Sequence, residues 1–195
     1  MTIPMSSTYK VLDLPKHTFD RIAFYGPMAA GKSWCASELQ WHGYGTAHLA
    51  SKLKTICYDL YGIQGKDNRS RRILQEVSDD LKKWEPHLWV KYLLNSLKSH
   101  EKDKIVVDDL RFVHEAKYFR ENGFNLVLVT ADNEVRAKRI ADLYPDTDPS
   151  RHLHASEQEW KEIEPDFANN STGPDAATQL ERMLADVTYR PRWKK

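Results

Sequence analysis

Short apolar runs alternate along this chain with stretches whose apolar residues recur at helical spacing. Arg21-Ile-Ala-Phe-Tyr25 is an apolar run that stops at Gly26, as a buried parallel strand would. The next segment, SWCASELQW (33–41), has neither Gly nor Pro and reads as a helix. Thr46-Ala-His-Leu-Ala50 fits a second short strand. Leu53, Ile56, Cys57 and Leu60 then repeat on one helical face, with Ser51 as the expected cap and Gly62 as the stop. Residues 63–71 are polar and basic and read as a loop. Beyond them Ile73, Leu74, Val77, Leu81 and Trp84 form one helical stripe that Pro86 ends. A further helix carries Leu88, Trp89, Tyr92, Leu93 and Leu97.

The second half continues the alternation. Lys104-Ile-Val-Val-Asp108 is the clearest strand after the first, followed by a helix over 114–121 that stops near Gly123. Asn125–Thr130 is another strand, and a basic helix runs from Asn133 to about Leu143. Residues 144–159, rich in Pro, Asp, His and Ser, read as a mobile loop. A last helix from about Pro174 carries Ala177, Leu180, Met183, Leu184 and Val187. Strands alternating with helices predict a three-layer α/β fold: a parallel sheet with helices on both faces. One domain is expected over 1–195, with a helical insert at about 45–100 and a lid region at about 136–160.

The strand-turn-helix at the start carries the first candidate chemistry. Gly26-Pro-Met-Ala29-Ala30-Gly31-Lys32-Ser33 fits G-x-x-x-x-G-K-[ST] in its proper setting. Glycines there let backbone N–H groups curl round an anion, and the positive end of the following helix adds to the attraction. Lys32 supplies a point charge for β- and γ-phosphates and Ser33 a hydroxyl for Mg²⁺. Gly26, Ala29, Ala30, Gly31, Lys32, Ser33 and Trp34 are therefore the expected nucleotide cradle. The bland alternative is a chance match on an ordinary strand-turn-helix corner.

A second site follows at Ile105-Val-Val-Asp108-Asp109-Leu-Arg111. An apolar strand ending in acid delivers a carboxylate to the sheet edge where the phosphate loop opens. Asp108 or Asp109 would serve the metal shell or orient an attacking oxygen, and Arg111 would clamp a phosphate. Arg136 and Arg139 share a helix face and would lean over the γ-phosphate; Arg151 and His154 would sit in a closing lid. Lys66, Arg69, Arg71 and Arg72 offer an anion site for an acceptor, with Arg71 the strongest candidate. Each of these basic groups is also readable as a solvated face.

Charge limits the partners. Lys+Arg number 29 and Asp+Glu 28, so no overall basic surface argues for duplex binding. Cys35 and Cys57 lack metal-ligand spacing and suit a reducing compartment as buried small hydrophobes. The opening MTIPMSSTYKVLDLPKH lacks a signal pattern, and no apolar run is long enough to cross a membrane. A cytoplasmic location is expected.

Several segments together resemble the phage-type deoxynucleoside monophosphate kinases, P-loop enzymes of the nucleoside monophosphate kinase group. The likeness spans about residues 20–186. It rests on GPMAAGKS (26–33) and on LASKLKTICYDLYG (49–62), similar to an A-x-x-L-K helix with Lys54 as its lysine. It rests also on RRILQ (71–75) with Trp89, DDLRFVHEA (108–116), HASE (154–157) and DFANNSTG (166–173). The segment 108–116 looks like the family's D-x-R-F-x-x-E-A. The resemblance implies transfer of the ATP γ-phosphate to a nucleoside 5′-monophosphate, with ATP and Mg²⁺ as cofactors; if the chain is phage-encoded, the compartment is the host cytoplasm. It implies Lys54, Arg71, Gln75, Arg111, Glu115 and Arg151 around a small-molecule nucleotide acceptor, and Asn170 to Gly173 beside the ATP base. It allows a homodimer, for which no segment here argues. Ser51-Lys52 stands where the family often has Asp-Pro, and the last strand segment is more polar than usual.

Two other classes fit parts of the sequence. One is a P-loop kinase acting on a modified nucleotide or on a hydroxyl displayed on DNA, where Trp41, Trp84, Trp89 and Trp160 would stack on bases. Core packing is the plainer reading of Trp84 and Trp89. The other is a non-catalytic nucleotide-binding module, which would not need Arg111, Arg136 and Arg139 together.

Overall fold

A computed structural model describes residues 20–63, 67–99, 104–143, 158–172 and 176–185. Five strands form one parallel sheet: β1 (Arg21–Tyr25), β2 (Gly45–Ala47), β3 (Ile105–Leu110), β4 (Asn125–Thr130) and β5 (Phe167–Asn170). Their order is β2-β3-β1-β4-β5. The helices are α1 (Lys32–Trp41), α2 (Ser51–Tyr61), α3 (Asn68–Lys82), α4 (Leu88–Ser96), α5 (Val113–Glu121), α6 (Asn133–Leu143) and α7 (Ala176–Ala185). The α/β architecture with helices on both faces is the one the alternation predicts.

Strand side chains point alternately to the two faces, so two cores result. Ile22, Phe24, Val106, Val127 and Val129 pack with Cys35, Leu39, Leu180 and Met183 under α1 and α7. Ala23, Tyr25, Ile105, Val107 and Leu126 pack with Leu53, Cys57, Trp89, Leu93 and Phe119 from α2, α4 and α5. Both cysteines are free and buried, as expected of small hydrophobes. β1 lies at the centre, between β3 and β4. Its C-terminal end is the crevice where open parallel sheets place their ligands.

Several sequence expectations need correction. The second strand stops at Ala47, because residues 48–50 are drawn out of the ladder by carboxylates of β3. Ser51 is the first residue of α2 and not its cap; Ala50 holds that position and has no capping side chain. Residues 68–71 are helical, since the Asp67 side chain accepts the Ser70 N–H and starts α3 there. The third strand runs through both aspartates to Leu110. Leu60 and Trp84 are exposed, at 70% and 91%, so neither joins the core. Trp89 does, and its indole N–H donates to Ser78 at 2.8 Å. Ala176, not Ala177, is the buried alanine of α7. The expectations for residues 1–19, Lys66, Arg151, His154, Gly173 and Val187 lie outside the described residues.

Candidate active site

β1 ends at Tyr25 and the chain turns at once through Gly26, at φ 131°. A Cβ there would lie 2.2 Å from the carbonyl oxygen of Val129 on β4, so only glycine fits. Gly31 closes the loop in the left-handed region at φ 98°, and its Cβ would strike the Ser171 hydroxyl. Gly31 is also the N-cap of α1, with no side-chain cap to fill the helix's first turn. The glycine at this cap keeps the first-turn N–H groups of α1 clear of capping side chains, as an anion cradle requires.

Lys32 reaches across the loop, its ammonium donating to the carbonyls of Gly26 and Pro27, both at 2.8 Å. From the other side, α6 grips the loop's carbonyls. Arg136 donates through Nε to Met28 at 2.9 Å, and Arg139 through Nη1 to Ala29 at 3.1 Å. Arg139 also donates to the Ser171 carbonyl at 3.0 Å and hydroxyl at 3.2 Å, and that hydroxyl donates to Ala30. The two arginines expected over a γ-phosphate are thus seated on the backbone of the loop itself. The turn after β5 is tied in on all sides: Ser171 N–H to Thr130, and Asp132 N–H to Thr172. Asn170 is exposed beside this turn, and its carboxamide accepts the Thr172 N–H.

The opposite wall is β3. Ala23 pairs with Val107 but Tyr25 with Leu110, so β3 holds one extra residue where Asp108 and Asp109 stand. Such a bulge re-aims side chains at a sheet edge. Asp108 stands on the α1 side, only 8% exposed, and receives hydrogen bonds from Ser33 and from His48. The His48 Nδ1 lies 2.5 Å from Asp108 Oδ1. Burial raises the Asp108 pKa, but His48, Ser33 and nearby Lys32 outweigh it and hold the carboxyl below its usual range. In turn Asp108 raises the His48 pKa. Asp109 accepts the N–H groups of Leu49 at 2.8 Å and Ala50 at 3.1 Å, while burial pushes its pKa up. The adjacent acids therefore divide the work: Asp108 faces the phosphate loop, and Asp109 anchors the start of α2.

His48, Asp108 and Asp109 place donor atoms within 4.8 Å of one another. The contacts above already use Asp109 on backbone and pair His48 with Asp108, which makes this a hydrogen-bond network. Ser33 with Asp108 offers hard oxygen donors, a set that suits Mg²⁺.

Past β3, Glu115 is only 6% exposed and accepts the N–H groups of Arg111 at 3.0 Å and Phe112 at 3.1 Å. Phe112 has no acceptor to return, so this is the acid half of a capping box only. Burial lifts the Glu115 pKa to about 7. Glu115 thus shapes the turn that presents Arg111. Lys54 is exposed on α2, Arg71 half-buried and Gln75 exposed on α3, and Trp34 is 41% exposed on the first turn of α1. His48 is the member that sequence reading passes over, whereas Ser171 falls in the segment expected beside the ATP base but bonds the loop backbone at Ala30. His48 sits in no spaced motif; its only signal is a position just after a strand end on the phosphate-loop edge.

Sheet order, glycine loop, lysine and the carboxylate bonded to Ser33 together define the P-loop kinase fold. A family model described as AAA domain matches residues 22–161, and the chain belongs to that family. The fold is shared with TT1252 from Thermus thermophilus, at TM-score 0.55 and 19% identity, covering 89% of this chain and 97% of that one. It is shared also with a sugar kinase from Janibacter, at TM-score 0.54 and 15% identity, covering 91% and 99%. No curated protein matches the sequence significantly. Among the described residues no helix is long and apolar enough to cross a membrane.

Proposed function

We propose that this protein transfers the γ-phosphate of ATP to a nucleoside or deoxynucleoside 5′-monophosphate, forming the diphosphate. The observation that carries the reading is the junction of Ser33, Asp108 and Arg111. One strand edge brings a carboxylate onto the phosphate loop and, three residues on, an arginine whose turn is fixed by a buried glutamate. The order Asp-x-Arg-Phe-x-x-Glu-Ala at 109–116 matches the motif of the monophosphate kinases it resembles.

In this reading the loop N–H groups and Lys32 hold the ATP phosphates, and Ser33 with Asp108 holds Mg²⁺. Held there, Mg²⁺ would supply neutralisation of the charge developing on the phosphates. Arg111 binds the acceptor phosphate, with Lys54, Arg71 and Gln75 as the further acceptor-binding residues. A phosphate acceptor is already an anion at neutral pH, so no base need take a proton from it. The chemistry is positioning and charge cancellation with water kept out. Arg136 and Arg139 act on the geometry of the loop, and the turn at Asn170 to Gly173 borders the ATP base.

One observation favours a second reading. His48, half-exposed and hydrogen-bonded to Asp108, has the form of a base oriented by a carboxylate. An alcohol acceptor, such as a hydroxyl on a modified nucleotide, would make use of it.

The test is ADP release and product analysis with Mg-ATP and a panel of ribo- and deoxynucleoside monophosphates, with a hydroxymethylated oligonucleotide beside them. Diphosphate formed from one or several monophosphates supports the first reading. Release with the oligonucleotide alone moves the protein to alcohol phosphorylation.

A further inference from the structure

His48 stands where three elements meet. It follows the last residue of β2, precedes α2, and its Nδ1 lies 2.5 Å from a carboxylate of β3 that also bonds Ser33 of α1. An aspartate carboxylate accepts and cannot donate, so Nδ1 carries the proton in this contact. The side chain is 42% exposed, whereas Asp108 is 8% exposed. The contact therefore supplies a donor to a buried oxygen that water does not reach freely. The next two residues, Leu49 and Ala50, are fixed through their N–H groups by Asp109. Consecutive acids of β3 thus hold consecutive residues 48–50, and the imidazole has little freedom to leave its place.

We infer that His48 is a positioning residue: by donating from Nδ1 to Asp108 it fixes the carboxylate that works with Ser33 on the metal-nucleotide, and its role is to donate a hydrogen bond rather than to accept a proton. Partners that orient a metal-site carboxylate in this way typically contribute 10- to 100-fold in affinity or activity, of the order of 10-fold or more here. The inference rests on the phosphotransfer reading for its turnover arm but not for its binding arm, because ADP binding needs no acceptor.

The experiment compares His48→Asn with His48→Leu. Asparagine places an N–H donor near the position of Nδ1 but is no base; leucine fills similar space and donates nothing. ADP affinity is measured by calorimetry with and without Mg²⁺, and turnover with the best acceptor alongside. The expected result is that His48→Leu loses about 10-fold or more of the Mg²⁺-dependent gain in ADP affinity. Its metal-free ADP affinity should stay within about twofold of the parent protein. His48→Asn should keep most of both the gain and the turnover. If His48→Leu binds Mg-ADP as the parent does, His48 does not position Asp108. If His48→Asn keeps the Mg²⁺-dependent gain yet turns over as poorly as His48→Leu, the imidazole takes part in proton chemistry. Either result overturns the inference. Failure of the parent protein to bind Mg-ADP would instead sink the phosphotransfer reading itself.

Discussion

The two walls of the site are built differently. The phosphate-loop wall is one contiguous string, Gly26 to Ser33, held from behind by two arginines of α6 and by Ser171. The β3 wall draws on residues far apart in sequence: His48, Asp108, Asp109, Arg111 and Glu115. A nucleotide triphosphate presents the same anion to any enzyme, so its cradle can be a local backbone device. An acceptor differs from enzyme to enzyme, and in the proposed reading it meets the part of the β3 wall around Arg111, where side chains come from separate elements. On this account, damage to the first wall, or to His48 and Asp108 where the second wall meets it, should cost metal-nucleotide binding, and damage at Arg111 on the second wall should cost transfer alone.

The largest expected effect lies on the first wall. Lys32→Ala removes the only lysine bridging the loop carbonyls among the described residues, and with it the charge on the β- and γ-phosphates. Turnover should fall by about 100- to 1,000-fold, as for loss of a preorganised donor, and ATP affinity should fall with it. Intact ATP affinity in that variant would blur the distinction between the walls.

A smaller effect is expected behind the loop. Arg139→Ala leaves the Ala29 and Ser171 carbonyls without their guanidinium, which should lower stability by about 1–3 kcal/mol. Thermal melting would show the loss, and saturating ATP should recover part of it because the ligand binds only the folded loop. A variant that melts like the parent would mean the brace contributes nothing to the loop.

Another effect is a change of slope with pH. Glu115 sits at about 7 in the folded protein against an ordinary 4.5. Between those values the folded state holds a proton that the unfolded chain has released. Stability should therefore decline as pH rises from about 4.5 to about 7 and level off above that. Glu115→Gln cannot titrate, and its stability should be flatter across that window in denaturant melts at several pH values. An unchanged slope would mean that Glu115 stays ionised in the turn that presents Arg111.

How far the sequence could be read follows the same division. The loop was legible because its demand is local: left-handed angles at fixed spacing, between an apolar strand and a helix. The sheet and its faces were legible because apolar runs such as Ile105–Val107 and Asn125–Thr130 have no other stable place. The Asp-Asp pair was visible, but not its division of labour. That depends on partners 59 or 60 residues away, His48 for Asp108 and the Leu49 and Ala50 N–H groups for Asp109, which only the fold brings to β3. His48 could not be found at all, because a lone histidine after a three-residue strand shows no period. Arg136 and Arg139 were rightly paired on one helix face. Their seat on Met28 and Ala29 depends on the angle at which α6 leaves β4, and residue spacing does not encode that angle. Trp84 misled because helical spacing alone does not say where a core ends: the indole lies just past the last turn of α3.

The most direct test of the division between the walls is Arg111→Ala, assayed for ATP binding and for ADP release with the acceptor that serves the parent protein best. The account predicts ATP affinity within about twofold of the parent and turnover reduced by about 100-fold or more, the loss expected when a donor to the transferred charge is removed. Turnover equal to the parent would take Arg111 out of the acceptor site, and a matching loss of ATP affinity would show that the two walls are not separate.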